Sequence, residues 1–336
     1  MLVLELNTAI VYNLLGDQQK ALQLYFGALE LSKSLGPAGE RWIGPIQSNI
    51  GNVYNALGNF RSAIYYYQTA QVILQNKSEI RAAAIVSLNI AHIYIAQGNY
   101  HRALQKLHQS HDILIAEELR LDATNVRRDM IECYLALNRY SEAREIANDI
   151  SKIYRQNETA HREAITLLHL ASAEAGLNNR EAAYQALNQA EHIFSNLGAA
   201  SWLALTQLRR GKLALAQSDI ATAEGLAQTA IAYFTEHEQR MNYASALLLL
   251  AEVHLQQQEA QQARGEAEKS FRVSKKNNLS SLRYAAHVLL ARIAEHENKI
   301  QRALRHYQAA SGVIERIERN LSITLRPGFL DDKNES

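Results

Sequence analysis

In IGPIQSNIGNVYNALGNFRSAIYYYQTAQVILQN, residues 43–76, two apolar stripes stand on either side of a Gly-Asn pair. Ile46, Ile50, Val53, Tyr54 and Leu57 recur at helical spacing, and Gly58-Asn59 ends that run. Phe60, Ala63, Ile64, Tyr67 and Ala70 then begin a second stripe of the same period. Glycine at 58 can take a positive φ at the end of the first helix, and the small Ala63 lets the second helix come close. The stretch therefore reads as a helical hairpin.

The hairpin recurs along the whole chain. Residues equivalent to Gly58 are Gly16, Gly98, Asn138, Asn178, Ser218, Gln258 and Asn298, with one step of 42 residues followed by six of 40. Ala21, Ala63, Ala103, Ala143, Ala183, Ala223, Ala263 and Ala303 keep the same register without changing residue type. A tyrosine series, Tyr12, Tyr54, Tyr94 and Tyr134, relaxes to Glu174, Ala214, His254 and Ala294. Two helices of roughly 16–18 residues joined by short turns fill the period, and eight copies sharing one core make a solenoid. The fold class expected is all-α. Asparagine suits a left-handed turn, whereas Ser218 and Gln258 predict two less sharply fixed ones. Trp42 and Trp202, which precede the first helices of repeats two and six, predict packing between repeats.

Composition narrows the function. The 336 residues carry 35 basic and 34 acidic side chains, so neither a nucleic-acid stripe nor a polybasic membrane anchor is indicated. Cys133 stands alone and excludes an intrachain disulfide; between Ile131 and Leu135 it reads as a packed thiol. The chain has no run of 18 apolar residues, and its start, MLVLELNTAIVY, lacks the features of a signal peptide, so a cytoplasmic protein is expected. Of the 12 histidines, His108 and His111 share a helix face but lack a third ligand in the local sequence, and His161 with His169 and His287 with His296 have no i,i+4 relation. No phosphate loop, HExxH or GxSxG is present. The expectation is a non-enzymatic chain with no cofactor or metal.

The series Gly51–Tyr54–Gly58–Phe60–Ala63–Tyr67–Ala70 resembles the tetratricopeptide signature. Ala91–Tyr94–Gly98–Tyr100–Ala103 repeats it, as do Tyr134–Asn138–Tyr140–Ala143 and Ala9–Tyr12–Gly16–Ala21–Tyr25–Ala28. Later repeats keep mainly the alanines. The departure is length, since the usual period is about 34 residues. The resemblance covers residues 1 to 318 and implies a right-handed superhelix of eight helix pairs, with first helices on the concave face. It also implies ligand-facing side chains at Asn13, Ser48, Asn52, Asn55, Asn89, His92, Arg128, Glu132, Lys212, Glu252 and Arg292. Asn52 and Asn89 fall where peptide-clamping members place asparagines, which can pair with an extended peptide backbone. Ser48 and Leu88 stand where a carboxylate clamp would need cations, so that clamp is not expected. Each polar residue is equally consistent with plain solvation. Leu168, Leu208, Leu248 and Val288 read either as an apolar floor for a partner or as contacts between neighbouring first helices.

Both ends read as cut, and residues 319–336 as a polar tail or a linker to a further domain. The tail SITLRPGFLDDK resembles, at Arg326, Phe329, Leu330, Asp332 and Lys333, the junction between such repeats and a CHAT domain, a caspase-like cysteine peptidase module. Pro327-Gly328 departs from that pattern by breaking a helix. The sequence thus implies a scaffold binding a protein or peptide segment in its groove, and the tail implies an attached effector of that type. The alternatives are the sensor arm of a multidomain bacterial transcriptional regulator and a receptor for a signalling peptide.

Overall fold

The computed structural model of the protein describes residues 1–277 and 279–325, with side chains up to residue 315. The chain divides into two compact bodies, residues 1–137 and 138–336. In the first body run α1 (Leu2–Leu14), α2 (Gln18–Ser34), α3 (Pro37–Ala56), α4 (Phe60–Asn76), α5 (Ile80–Ala96), α6 (Tyr100–Ala116) and α7 (Arg120–Ala136). The second holds α8 (Tyr140–Gln156), α9 (Ala160–Gly176), α10 (Arg180–Asn196), α11 (Ala200–Ala216) and α12 (Ile220–Glu236). It continues with α13 (Arg240–Gln256), α14 (Ala260–Lys276), α15 (Ser280–His296) and α16 (Ile300–Leu325). The architecture is an all-α helix-pair solenoid of about eight repeats.

The period has a finer grain than the sequence suggested. Every helix from α4 to α15 is 17 residues long, and each turn between them spans three. A helix plus its turn is therefore half of the 40-residue unit. Both kinds of turn close alike. At the first, Asn59 N–H donates to Tyr54 C=O at 2.9 Å and Gly58 N–H to Asn55 C=O at 2.9 Å. At the second, Glu79 N–H reaches Leu74 C=O at 2.9 Å and Ser78 N–H reaches Gln75 C=O at 3.0 Å. This is the Schellman pattern, which satisfies the last helical carbonyls and needs one left-handed residue.

All eight turn residues singled out from the sequence have positive φ. Ser218 and Gln258, at 62° and 66°, adopt the same geometry as the asparagines, so those turns are fixed like the rest. A second series lies between repeats, at Gly36, Ser78, Glu118, Glu158, Gly198 and Glu238. Serine and glutamate carry no αL preference, and here the paired hydrogen bonds impose the conformation.

The invariant alanine is the fourth residue of each second helix from α4 onward. Ala21, Ala63, Ala103, Ala143, Ala183, Ala223 and Ala263 are fully buried, and Ala303 is nearly so. The largest buried side chains, Tyr25, Tyr67, Tyr154, Phe194 and Phe234, lie on the same helices. Cys133 is buried, and burial with the nearby Glu132 and Asp129 charges pushes its thiol up to about 12, so it is packing rather than a nucleophile. Both tryptophans lie inside first helices rather than before them. Trp202 stacks on Phe194 at 5.4 Å and meets His161 edge-on, while Trp42 packs against the core of α1–α3. Pro45 likewise sits within α3. The last helix is described to Leu325, past residue 318 where the sequence closed the repeats. The CHAT-like positions Arg326, Phe329, Leu330, Asp332 and Lys333 lie outside the described residues. Among those described, no helix is long and apolar enough to cross a membrane.

Two glycines separate packing from propensity. A Cβ on Gly51 would stand 2.6 Å from the Tyr67 ring, whereas one on Gly265 would meet nothing within 4 Å. Gly51→Ala should destabilise by about 1–3 kcal/mol through overpacking. Gly265→Ala should stabilise by roughly 0.5–1 kcal/mol through helix propensity. Urea midpoints measure both, and equal shifts of the same sign would refute this packing.

Candidate functional site

The polar side chains implied as ligand-facing sit on first helices, and many are engaged with one another. In the first body Tyr67 O–H donates to Asn52 Oδ1 at 2.7 Å, and Asn89 Nδ2 approaches the same oxygen at 3.4 Å. Asn52 Nδ2 points to Asn49 Oδ1 at 3.4 Å. Asn52 is thus a junction tying α3 to α4 and α5, and burial raises the Tyr67 phenol to about 12. Replacing Asn52 would strand a buried hydroxyl, so it is not the freely exchangeable side chain of a solvated face.

One repeat further on, His92 Nε2 lies 2.9 Å from Asp129 Oδ2, and Arg128 holds the other oxygen of that carboxylate at 3.1 Å. The hydrogen bond to Asp129 raises the His92 pKa, opposed by partial burial and by Arg128 and helped by the Asp129 and Glu132 charges. Burial alone would raise the Asp129 carboxyl, but the His92 hydrogen bond and Arg128 outweigh it and hold the carboxyl below the usual range. Asn13 and Ser48 are half-buried, and Asn55 and Glu132 are exposed.

In the second body Arg209 Nη1 donates to Ser172 Oγ at 2.5 Å and to Leu168 C=O at 3.0 Å. Lys212 donates to Ser245 Oγ at 3.2 Å, and Arg292 pairs with Glu252 at 2.6 Å. Neighbouring first helices α9, α11, α13 and α15 touch in succession, so their facing polar positions fall within reach. Asn89–Asn52, Asp129–His92 and Arg209–Ser172 all span 37 residues. Asp129, Ser172, Arg209 and Ser245 were missed from the sequence. The register 49, 89, 129, 169, 209 contains the signal, since all five residues there are polar.

The apolar-floor alternative fails for Leu168 and Leu208, which are buried in the core, while Leu248 and Val288 are half-buried. His108 accepts or donates toward the Tyr134 hydroxyl at 3.3 Å, and His111 contacts Asp112. Among the described residues no group of three His, Cys, Asp or Glu side chains could hold a metal ion.

Two outcomes check this geometry. The raised His92 pKa means that its pairing with Asp129 is fully present below the unfolded histidine value of 6.5. That contribution is lost as pH rises through the higher folded value. His92→Gln should therefore lower the melting temperature more at pH 5.5 than at pH 8.5, by less than about 1 kcal/mol in stability because the imidazole is half exposed. In a double-mutant cycle, Asn52→Ala should cost about 1–3 kcal/mol in the parent and much less in a Tyr67→Phe background. Additive losses would dissolve the hydrogen-bonded junction.

Comparison with known proteins agrees with the architecture. A tetratricopeptide repeat family model matches residues 94–168. No curated protein matches the sequence. Among solved structures, the apo form of RapI superposes with a TM-score of 0.71 at 15% identity, covering 82% of this chain and 98% of that one. A Rap protein complexed with competence and sporulation factor gives 0.62 at 14%, covering 95% and 98%. The Rap conjugation gene regulator of plasmid pLS20, in complex with the Phr* peptide, gives 0.65 at 14%, covering 84% and 76%. At such identities the likeness concerns the fold, and the chain has a tetratricopeptide-like repeat fold.

Proposed function

We propose that this chain is a recognition arm that binds a short peptide along its first helices and serves a signalling system, as the receptor or sensor part of a regulator. The observation that carries this reading is the row of amide side chains Asn49, Asn52, Asn55 and Asn89 on adjoining first helices of the first body. Amides offer a donor and an acceptor at once, which is what an unpaired peptide backbone requires. Asn52 holds the row in place, while Asn55 is exposed and Asn89 contributes only one long hydrogen bond to it.

The structural likeness to a Rap protein complexed with competence and sporulation factor, and to one in complex with the Phr* peptide, supports a peptide ligand. The peptide-receptor reading is preferred over an attached caspase-like effector, whose resemblance rests on residues 326–333 alone.

Panning a random heptapeptide library against residues 1–336 tests the proposal. Enriched peptides should bind in fluorescence anisotropy, and Asn55→Ala with Asn89→Ala should weaken them at least about tenfold, the size of one or two lost hydrogen bonds. These variants leave the Tyr67–Asn52 bond intact, so helicity and melting temperature should stay close to the parent. Absence of any specific peptide, or equal affinity for the double variant, contradicts the reading.

A further inference from the structure

The repeat makes one kind of junction again and again, and the two halves of that junction lie bare on α1 and α16. Each second helix packs on the next first helix, as α2 on α3, α4 on α5 and α6 on α7 in the first body. The second body continues with α8 on α9, α10 on α11, α12 on α13 and α14 on α15. At α4–α5 the parts are plain. Ile64, Tyr67 and Leu74 of α4 form one buried cluster with Val86, Ile90 and Ile93 of α5.

Four register positions follow this junction along the chain. Tyr67 and Leu74 stand in line with Tyr307 and Ile314, and Val86 and Ile93 with Leu4 and Val11. Every internal copy of the four positions is buried, whether the residue is aromatic, aliphatic or small and polar. The end copies are not. On α16 Tyr307 is 37% exposed and Ile314 41%, and on α1 Leu4 is 71% exposed and Val11 52%. Among the described residues no helix precedes α1 or follows α16 to cover them. Ile300 and Leu304 lengthen the bare stripe of α16, while Ile10 and Leu14 lengthen that of α1. Charge is absent from positions 300, 304, 307, 311 and 314, and the one charged side chain of α1, Glu5, is half-buried. The Tyr307 ring is fixed in place, because its hydroxyl donates to Glu295 Oε2 at 3.0 Å.

A solenoid usually ends in polar outer faces, since a bare apolar end behaves as an unfilled repeat interface. We propose that α16 of one copy docks on α1 of a second copy of this chain, as α4 docks on α5. The register names the occupant. Residues in line with Tyr307 share buried clusters with residues in line with Val11 at α2–α3, α4–α5, α10–α11, α12–α13 and α14–α15. The two bare stripes are thus opposite halves of a junction this chain already makes, and both are uncharged. Two different surfaces meet head to tail, and contacts of that type build rings or open chains. One helix resting on one helix belongs with the smaller interfaces, below about 1,200 Å², so association is expected at about 10–300 μM. This inference goes beyond the peptide reading and does not rest on it.

Sedimentation equilibrium of residues 1–336 across that range tests it, with Val11→Glu and Ile314→Glu each placing a charge on one stripe. Both positions are exposed, so helicity and melting temperature should stay near those of the parent. The parent should gain mass with concentration, and each variant alone should remain monomeric. An equimolar mixture of the two variants should form a one-to-one pair and nothing larger. Val11→Glu keeps its α16 face, and Ile314→Glu keeps its α1 face. A parent that is monomeric up to about 1 mM overturns the proposal and leaves the stripes to a different partner. A variant that still dimerises alone overturns it as well, because like faces would then be meeting. So does a mixture that stays monomeric.

Discussion

A methyl group with no room around it sets the geometry of this molecule. The fourth residue of the second helix is alanine in every repeat, and in all but the last it has no exposed surface. A larger side chain there would push the helices apart, and the displacement would be passed to the next hairpin because each helix is shared by two neighbours. Helices of 17 residues and turns of three then follow as one consistent solution. Each turn returns the chain antiparallel and places the next helix against the same groove. The left-handed residue does not supply this geometry but permits it, which is why glutamate is tolerated at 118, 158 and 238.

Regular packing of this kind aligns positions that are far apart in sequence. Residues 37 apart on neighbouring first helices become partners, as Asn52 with Asn89, His92 with Asp129 and Ser172 with Arg209. A polar row on these helices is therefore a structural seam, and in the proposed function it is also the surface that binds a peptide. Asn52 belongs chiefly to the seam, through Tyr67, and Asn55 to the surface.

The fold was legible because its signals are local and repeated. Gly58, Ala63 and Phe60 mark a turn, a close contact and a new helix within six residues, and seven further copies remove the ambiguity of any one. The turns at Ser78, Glu118 and Glu158 were not legible, since nothing in those side chains prefers positive φ and hydrogen bonds formed only in the finished helix impose it. The candidate site was half legible. The resemblance put the candidate side chains on first helices, where the structure has them, but not that Asn52 receives a buried phenol from α4.

The central claim is that the first helices form the recognition surface while the second helices hold the repeats in register. Hydrogen–deuterium exchange of the chain, with and without a saturating peptide selected for binding, measures this directly. The account predicts added protection in α3 and α5 of the first body, with α4 and α6 unchanged. Protection concentrated in those second helices, with the first helices unaffected, would contradict it.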